Sequence, residues 1–335
     1  MKVLPEFEVL TLAHLLERHA GLQPESIALL APGEQQISYA QLFAMAGNAR
    51  HWLACRGLAP GARVAVRMPA GLELAVSCLV IACGAVCVPL HTGLAEPEVL
   101  TLLRDARADA VIGLQGDPVP ARLARTLGLA SLVFDMQEWL DAPPEDATDS
   151  SLYWPDPADT ALVLMTSGTT GKSKRVPLRQ QQLVHSAQQT ALHLELRPDD
   201  RGLLVMPAYH SQGLVVGLLA PLAAGSTVVC APVFDASEFL RWVSEFSPTW
   251  YTASPLVHQA VIDLVSYRRT GMPAHTFRMI RAASSPLPEI LQRRMEDLWR
   301  VPVIQAYGIT ETAGQVTCNP LPPGVQKPGS VGHPV

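Results

Sequence analysis

Ala62–Val66, Ala85–Val88, Asp109–Ile112 and Leu132–Phe134 are short apolar, β-branched runs, and the stretches between them (about 71–82, 97–106 and 119–127) are long enough for helices. Strand, helix, strand at this cadence means parallel βαβ units. Ahead of them, Leu42, Ala46, Ala49 and Leu53 stand at helical spacing within Tyr39–Arg56, and Ser26–Ala31 reads as a strand. A second alternating series puts strands at Ala161–Met165, Leu203–Met206, Val228–Cys230, Thr249–Thr252, Phe277–Ala282 and Val303–Ala306. Among its helices, Phe239, Val243 and Phe246 form one apolar stripe, and Leu256, Val257, Ala260, Val261, Leu264 and Val265 form another. The pattern predicts an α/β fold of two helix-covered, largely parallel sheets. Residues 141–159, rich in Pro, Asp and Ser without periodicity, read as the connection between lobes 1–140 and 160–335.

Composition narrows the function classes. With 48% hydrophobic and 16% charged residues the chain is globular, and its net charge of −5 with scattered basic residues offers nucleic acid no footprint. The uncharged stretches Leu74–Ala95 and Leu203–Phe234 are interrupted by Gly84, Pro89, Pro207, Gly213, Pro221, Gly225 and Pro232, so they read as buried sheet and covering helix, not membrane spans. Cys78, Cys83 and Cys87 lack the C-x-x-C spacing of a zinc site and read as buried, reduced thiols. Glu6 and Glu8 interrupt the opening residues where a signal peptide needs an apolar run, which leads us to expect a cytoplasmic protein.

Polar and Gly-rich clusters fall just beyond the predicted strands: Thr166–Gly171, Tyr209–Gly213, Ser254, Ser284–Ser285 and Tyr307–Thr312. Open α/β sheets bind ligands beyond the carboxyl ends of their strands, so these clusters are expected to converge on one crevice. Among them, Thr166, Ser167, Gly168, Thr169, Thr170 and Gly171, followed by Lys172, Ser173 and Lys174, combine backbone freedom, hydroxyl donors and positive charge. Phosphate is the natural guest. A Walker A loop would need glycine at 166 and a helix from Lys172, whereas Thr166 stands at the first position and Val176, Pro177 and Leu178 continue as a strand.

The run from Val163 to Leu178 resembles the signature of the AMP-forming adenylating enzymes, which include acyl-CoA synthetases, firefly-type luciferases and the adenylation domains of nonribosomal peptide synthetases. Ser173 and Arg175 replace the usual Pro and Gly of that signature. A second family signature is matched by Tyr307, Gly308, Ile309, Thr310, Glu311 and Thr312. The resemblance implies the large N-terminal domain of that fold, including a small β-subdomain, and activation of a carboxylic acid by ATP to an acyl-adenylate, with CoA or a carrier-protein phosphopantetheine as the thiol acceptor. It implies that Thr166–Gly171 hold the β- and γ-phosphates with Lys174 beside them, that Thr310 donates to the α-phosphate, and that Glu311 holds Mg²⁺. Tyr307, flanked by Ala306 and Gly308, would face the adenine opposite Ser284, Ser285 and Pro286. His210, Gly213, Ser254 and Ser285 would lie on the acyl side.

Two details sharpen that reading. Asp235 mimics the amine-gripping aspartate of amino-acid adenylation domains, but it opens an amphipathic helix and reads as its cap, which favours a plain carboxylic acid. The segments Cys318–Gly324 and Lys327–Gly332 resemble the oxalate-CoA ligase branch. Thr312, Ala313 and Gly314, however, replace the His that this branch carries there, leaving a short dicarboxylate without an evident partner. Family members continue into a small C-terminal lid domain carrying a lysine, expected to be absent from this chain. The alternatives are thus a lidless nucleotide- or acyl-adenylate-binding module with little turnover, or a peptide-synthetase adenylation domain.

Overall fold

The computed structural model describes residues 10–33, 35–141, 154–166, 174–268 and 274–335. One sheet holds β3 (Arg63–Arg67), β4 (Val86–Leu90), β5 (Ala110–Leu114), β6 (Ala130–Phe134), β7 (Thr160–Thr166) and β8 (Lys174–Arg179), in the order β6-β5-β3-β4-β7-β8. Its strands pair in parallel except β8, which folds back antiparallel on β7. The crossover helices Leu72–Ala82, Glu96–Ala106 and Pro118–Leu127 fall where the cadence predicts. Every residue of β4 is buried, the pattern of a parallel strand covered on both faces.

The second sheet holds β1 (Ile27–Ala31), β2 (Gln35–Ser38), β9 (Arg201–Leu204), β10 (Thr227–Cys230), β11 (Trp250–Ala253), β12 (Met279–Ala282), β13 (Val303–Ile309), β14 (Gly314–Cys318) and β15 (His333–Pro334). Its order is β15-β14-β13-β12-β11-β9-β10-β1-β2, parallel in the middle and antiparallel at both margins. The sheets therefore do not follow the lobes 1–140 and 160–335. β1 pairs with β10 (Leu29↔Val228), bringing an early hairpin to the far sheet, while β7 reaches β4 (Leu162↔Cys87). Strand order follows which buried edges need covering, a long-range property invisible in local periodicity.

Between the sheets lies a core built from Leu42, Met45, Ala46 and Ala49 of the helix Tyr39–Cys55, Leu183, Val184 and Ala187 of the helix Gln180–His193, and a buried π-helix, Gln212–Leu219. Ser38 caps the first of these helices in a reciprocal capping box with Gln41. The outer face of the nine-stranded sheet is covered by Phe239, Trp242, Val243 and Phe246, confirming the predicted stripe, together with Tyr251, Phe277 and Trp299. Asp235 accepts from the backbone of Ser237 and Glu238 at the start of the helix Ala236–Phe246, so it is a helix cap.

The second predicted stripe is shifted. In the helix Pro255–Arg268, Leu256 is exposed, whereas His258, Val261 and Ile262 face inward. The Tyr251 hydroxyl lies 3.0 Å from His258 Nδ1 and fixes that rotation, so a polar residue occupies a core position that apolar spacing alone misses. The thiols are unpaired and five are buried, but Cys55 is exposed, 3.2 Å from His51 Nε2 on the same helix. Among the described residues no helix is long and apolar enough to cross a membrane.

Candidate functional site

The β7–β8 hairpin sets the first half of the site. Thr166 and Lys174 are register partners at its open end, and beyond Lys174 the chain stays extended, with Val176 and Leu178 buried and their neighbours outward. Ser167, Gly168, Thr169, Thr170 and Gly171, with Lys172 and Ser173, lie outside the described residues. A loop joining antiparallel strands is not the strand-to-helix junction of a Walker A motif, so that alternative is excluded. Lys174 is exposed.

β8 lies against the short 3₁₀ turn Thr310–Thr312, and so the two sequence signatures meet although one sheet carries the first and the other sheet the second. The turn continues from β13, whose final residues rise beyond the sheet: Ala306 is buried, Tyr307 is 47% exposed, and Glu311 is exposed. A side chain at Gly308 would strike the Gly314 carbonyl oxygen at 1.8 Å, so only glycine lets β13 and β14 approach there. Ala313 closes the turn in the left-handed conformation, and its carbonyl accepts a 2.9 Å hydrogen bond from the buried Ser186 hydroxyl. The turn is thereby pinned to the inter-sheet core.

Beside it the loop after β12 carries Ser284, Ser285 and Pro286, all exposed. The Ala283 N–H donates to the Ala253 carbonyl, which keeps this loop next to Ser254 at the end of β11. Ser284 adopts a left-handed backbone (φ 75°), uncommon for a residue with a Cβ, and its hydroxyl donates to Gln212 Oε1. Gln212 Nε2 donates to Thr252 Oγ1 at 3.0 Å, and Arg281 donates through Nη1 to the same oxygen at 3.0 Å and through Nε to Gln315 Oε1 at 2.9 Å. This buried network was missed in the sequence. The available signal was Arg281 itself, a charge within an otherwise apolar strand.

On the other flank, Thr166 and His210 share a cavity of about 260 Å³ with His91, Glu98, Met165 and Tyr209, closed by Pro89, Leu90, Leu94 and Leu102. The Tyr209 ring stands 4.8 Å from each of the His91 and His210 rings. Burial holds the His210 pKa below the usual histidine value, and the neighbouring His91 adds to the effect. At Gly213 a Cβ would lie 2.2 Å from the Pro207 carbonyl oxygen, so glycine lets the π-helix start against the preceding loop. His91 and Met165, from the ends of β4 and β7, were not among the predicted site residues, since only sheet topology brings them here.

A two-sheet α/β body, with a hydroxyl-rich hairpin from one sheet meeting a Tyr-Gly-x-Thr-Glu turn from the other, is the architecture of the N-terminal domains of adenylate-forming enzymes. Residues 16–335 match the AMP-binding enzyme family, and the chain belongs to it. It is 33% identical to a probable CoA ligase, CCL9, from Humulus lupulus (97% of this chain, 64% of the relative) and 33% identical to an oxalate–CoA ligase from Arabidopsis thaliana (97% and 66%). A sulfoacetate–CoA ligase from Cupriavidus necator is 32% identical (97% and 64%). The chain thus spans just under two thirds of the length of these relatives. The anthranilate CoA ligase AuaEII in complex with anthranoyl-AMP superposes with a TM-score of 0.87 at 25% identity (97% of this chain, 63% of that one). The N-terminal domain of FACL13 from Mycobacterium tuberculosis gives 0.84 at 27% identity (97% and 82%).

Proposed function

We propose that this chain activates a carboxylic acid with ATP for transfer to a thiol. The acid's carboxylate oxygen attacks the α-phosphorus, the bond to the β-phosphate bridging oxygen breaks, and pyrophosphate leaves with that electron pair. The thiol sulfur of the acceptor then attacks the acyl carbon, the bond from that carbon to the AMP phosphate oxygen breaks, and thioester and AMP form with release of the thiol proton. The observation that carries this reading is the meeting of the β7–β8 hairpin with the Thr310–Thr312 turn at the mouth of both sheets. Little covalent help is needed for such a displacement; alignment and neutralisation of phosphate charge do the work.

In this reading Thr166–Gly171 and Lys174 receive the outer phosphates and Thr310 the α-phosphate. Tyr307 stacks on the adenine between Ala306 and Gly308 on one side and Ser284, Ser285 and Pro286 on the other. Ser254, Ser285 and His210 border the acid. Glu311 fits Mg²⁺: it is an exposed carboxylate, its oxygens are hard donors, and no described residue forms an ion pair with it. The metal, when bound, would neutralise phosphate charge.

CoA is the favoured acceptor, because the three relatives named above are CoA ligases, with a carrier-protein phosphopantetheine as the second candidate. Asp235 is occupied as a helix cap, which argues against the amino-acid adenylation reading. Unpaired thiols fit a reducing, cytoplasmic setting. The test is titration of ATP and of acyl-adenylate analogues into the chain beside a pyrophosphate-release assay over a panel of acids. Binding with acid-dependent release supports the ligase; binding of nucleotide and adenylate analogue without release leaves a binding module; no binding of either refutes the reading.

A further inference from the structure

Six described residues other than glycine have a left-handed backbone. Arg107, Ser247, Arg300 and Ala313 close helical turns, and Glu195 follows the end of one, which is the ordinary place for that conformation. Ser284 is different. It ends no helix, follows β12 and opens the loop that carries Ser285 and Pro286. A Cβ in the left-handed region crowds the carbonyl oxygen, so a serine there is strained. All three loop residues are exposed, so burial does not impose the strain.

The strain is held from the core. The Ser284 hydroxyl donates to Gln212 Oε1, and Gln212 is buried at the start of the π-helix, where the close packing at Gly213 fixes its backbone. Gln212 Nε2 donates to Thr252 Oγ1 at 3.0 Å, an oxygen that Arg281 also engages. With its amide nitrogen spent on Thr252, Gln212 keeps its oxygen turned toward Ser284. An exposed loop serving stability alone would relax to an unstrained turn. Strain kept at such a loop, and enforced by an anchored buried amide, indicates that the shape of the loop matters to what it meets.

We infer that Gln212 is a positioning residue of the nucleotide site: it holds Ser284 in the left-handed conformation that sets the loop Ser284–Pro286 against the adenine. This rests on the adenylating reading and goes beyond it by giving the buried network its task. Gln212 lies two residues after His210, so the segment that borders the acid also shapes the adenine wall.

The experiment is calorimetric titration of ATP into the unmodified chain and its variants, with denaturant unfolding to confirm that each is folded. Gln212→Met keeps the length of the side chain and removes both hydrogen bonds. It should weaken ATP binding about tenfold, the scale of restoring one strained left-handed residue on binding. Glycine adopts this backbone freely, so in a Ser284→Gly background Gln212→Met should cause little further loss. For the same reason Ser284→Gly should bind ATP about tenfold more tightly than Ser284→Ala, although both lack the hydroxyl. Unchanged ATP affinity in Gln212→Met overturns the inference, and so does an equal effect of Gln212→Met in both backgrounds. Equal losses in Ser284→Ala and Ser284→Gly would overturn it too, since they would mean that the hydroxyl acts on ATP directly. That exposed pair decides the matter if Gln212→Met does not fold. Failure of the unmodified chain to bind ATP would strike the adenylating reading itself, and the inference with it.

Discussion

The two faces of the nine-stranded sheet use the same strands for opposite ends. On the outer face Phe239, Tyr251, Phe277 and Trp299 meet ring against ring, with centroids 5.0–6.2 Å apart, and the buried His258 is held there by Tyr251. On the inner face, alternate residues of β11 and β12 pass from Trp250 and Met279 to Thr252 and Arg281, and the strand ends open onto Ser254 and Ser284. Period-two alternation lets one strand serve both purposes. The aromatic packing is concentrated on the outer face, and the buried polar network on the inner one.

That contrast breaks if outer-face changes alter ligand binding. Trp299→Ala should show the largest effect, a loss of about 3–5 kcal/mol of stability in denaturant unfolding, because it empties a fully packed aromatic site. ATP affinity per folded molecule should stay unchanged. Tyr307→Ala should do the reverse: its ring is half exposed, so the unfolding midpoint should barely move, while ATP affinity falls by about 1–3 kcal/mol, the usual worth of a base–aromatic stack.

Titration sharpens the same comparison. Burial lowers the His258 pKa to about 3, while the unfolded chain keeps a value near 6.5. Between these values the unfolded state binds more protons, so stability is fully present above about pH 6.5 and falls by about 1.4 kcal/mol for each pH unit below it. His258→Leu should flatten that slope in unfolding curves taken from pH 7 to pH 5, leaving whatever contribution other groups make. The smallest effect is expected at the hairpin. Lys174→Ala should weaken ATP binding by about 1 kcal/mol, more than Lys172→Ala does, since charge near phosphate is screened at an exposed site. The opposite ranking would mean that the loop does not hold phosphate in the manner proposed.

Much of this was legible in the sequence, for reasons that also explain the failures. Helix and strand periods are local, so Tyr39–Cys55, the crossover helices and the Asp235 cap could be read directly. The hairpin after Thr166 could be distinguished from a Walker loop because Val176, Pro177 and Leu178 carry a strand pattern. Which sheet receives β1 or β7 depends on partners remote in the chain, Val228 for Leu29 and Cys87 for Leu162, and the sheets accordingly do not follow the two lobes. The packing reason for Gly213, the approach of the Met206 and Pro207 carbonyl oxygens, depends on the loop's path and was not legible. Arg281, Gln212 and Gln315 come from a strand, a π-helix and a returning strand, and no spacing rule links them.

The central claim is that the hairpin of one sheet and the Tyr307–Thr312 segment of the other form a single nucleotide site. Equilibrium titration of ATP with and without Mg²⁺, into the wild-type chain and into Glu311→Gln, tests it most directly. Saturable binding at one site is predicted, strengthened by Mg²⁺ in the wild type and nearly indifferent to Mg²⁺ in the variant, which keeps the side-chain shape but loses the charge. Absence of saturable binding, or an equal Mg²⁺ response in both proteins, would contradict it.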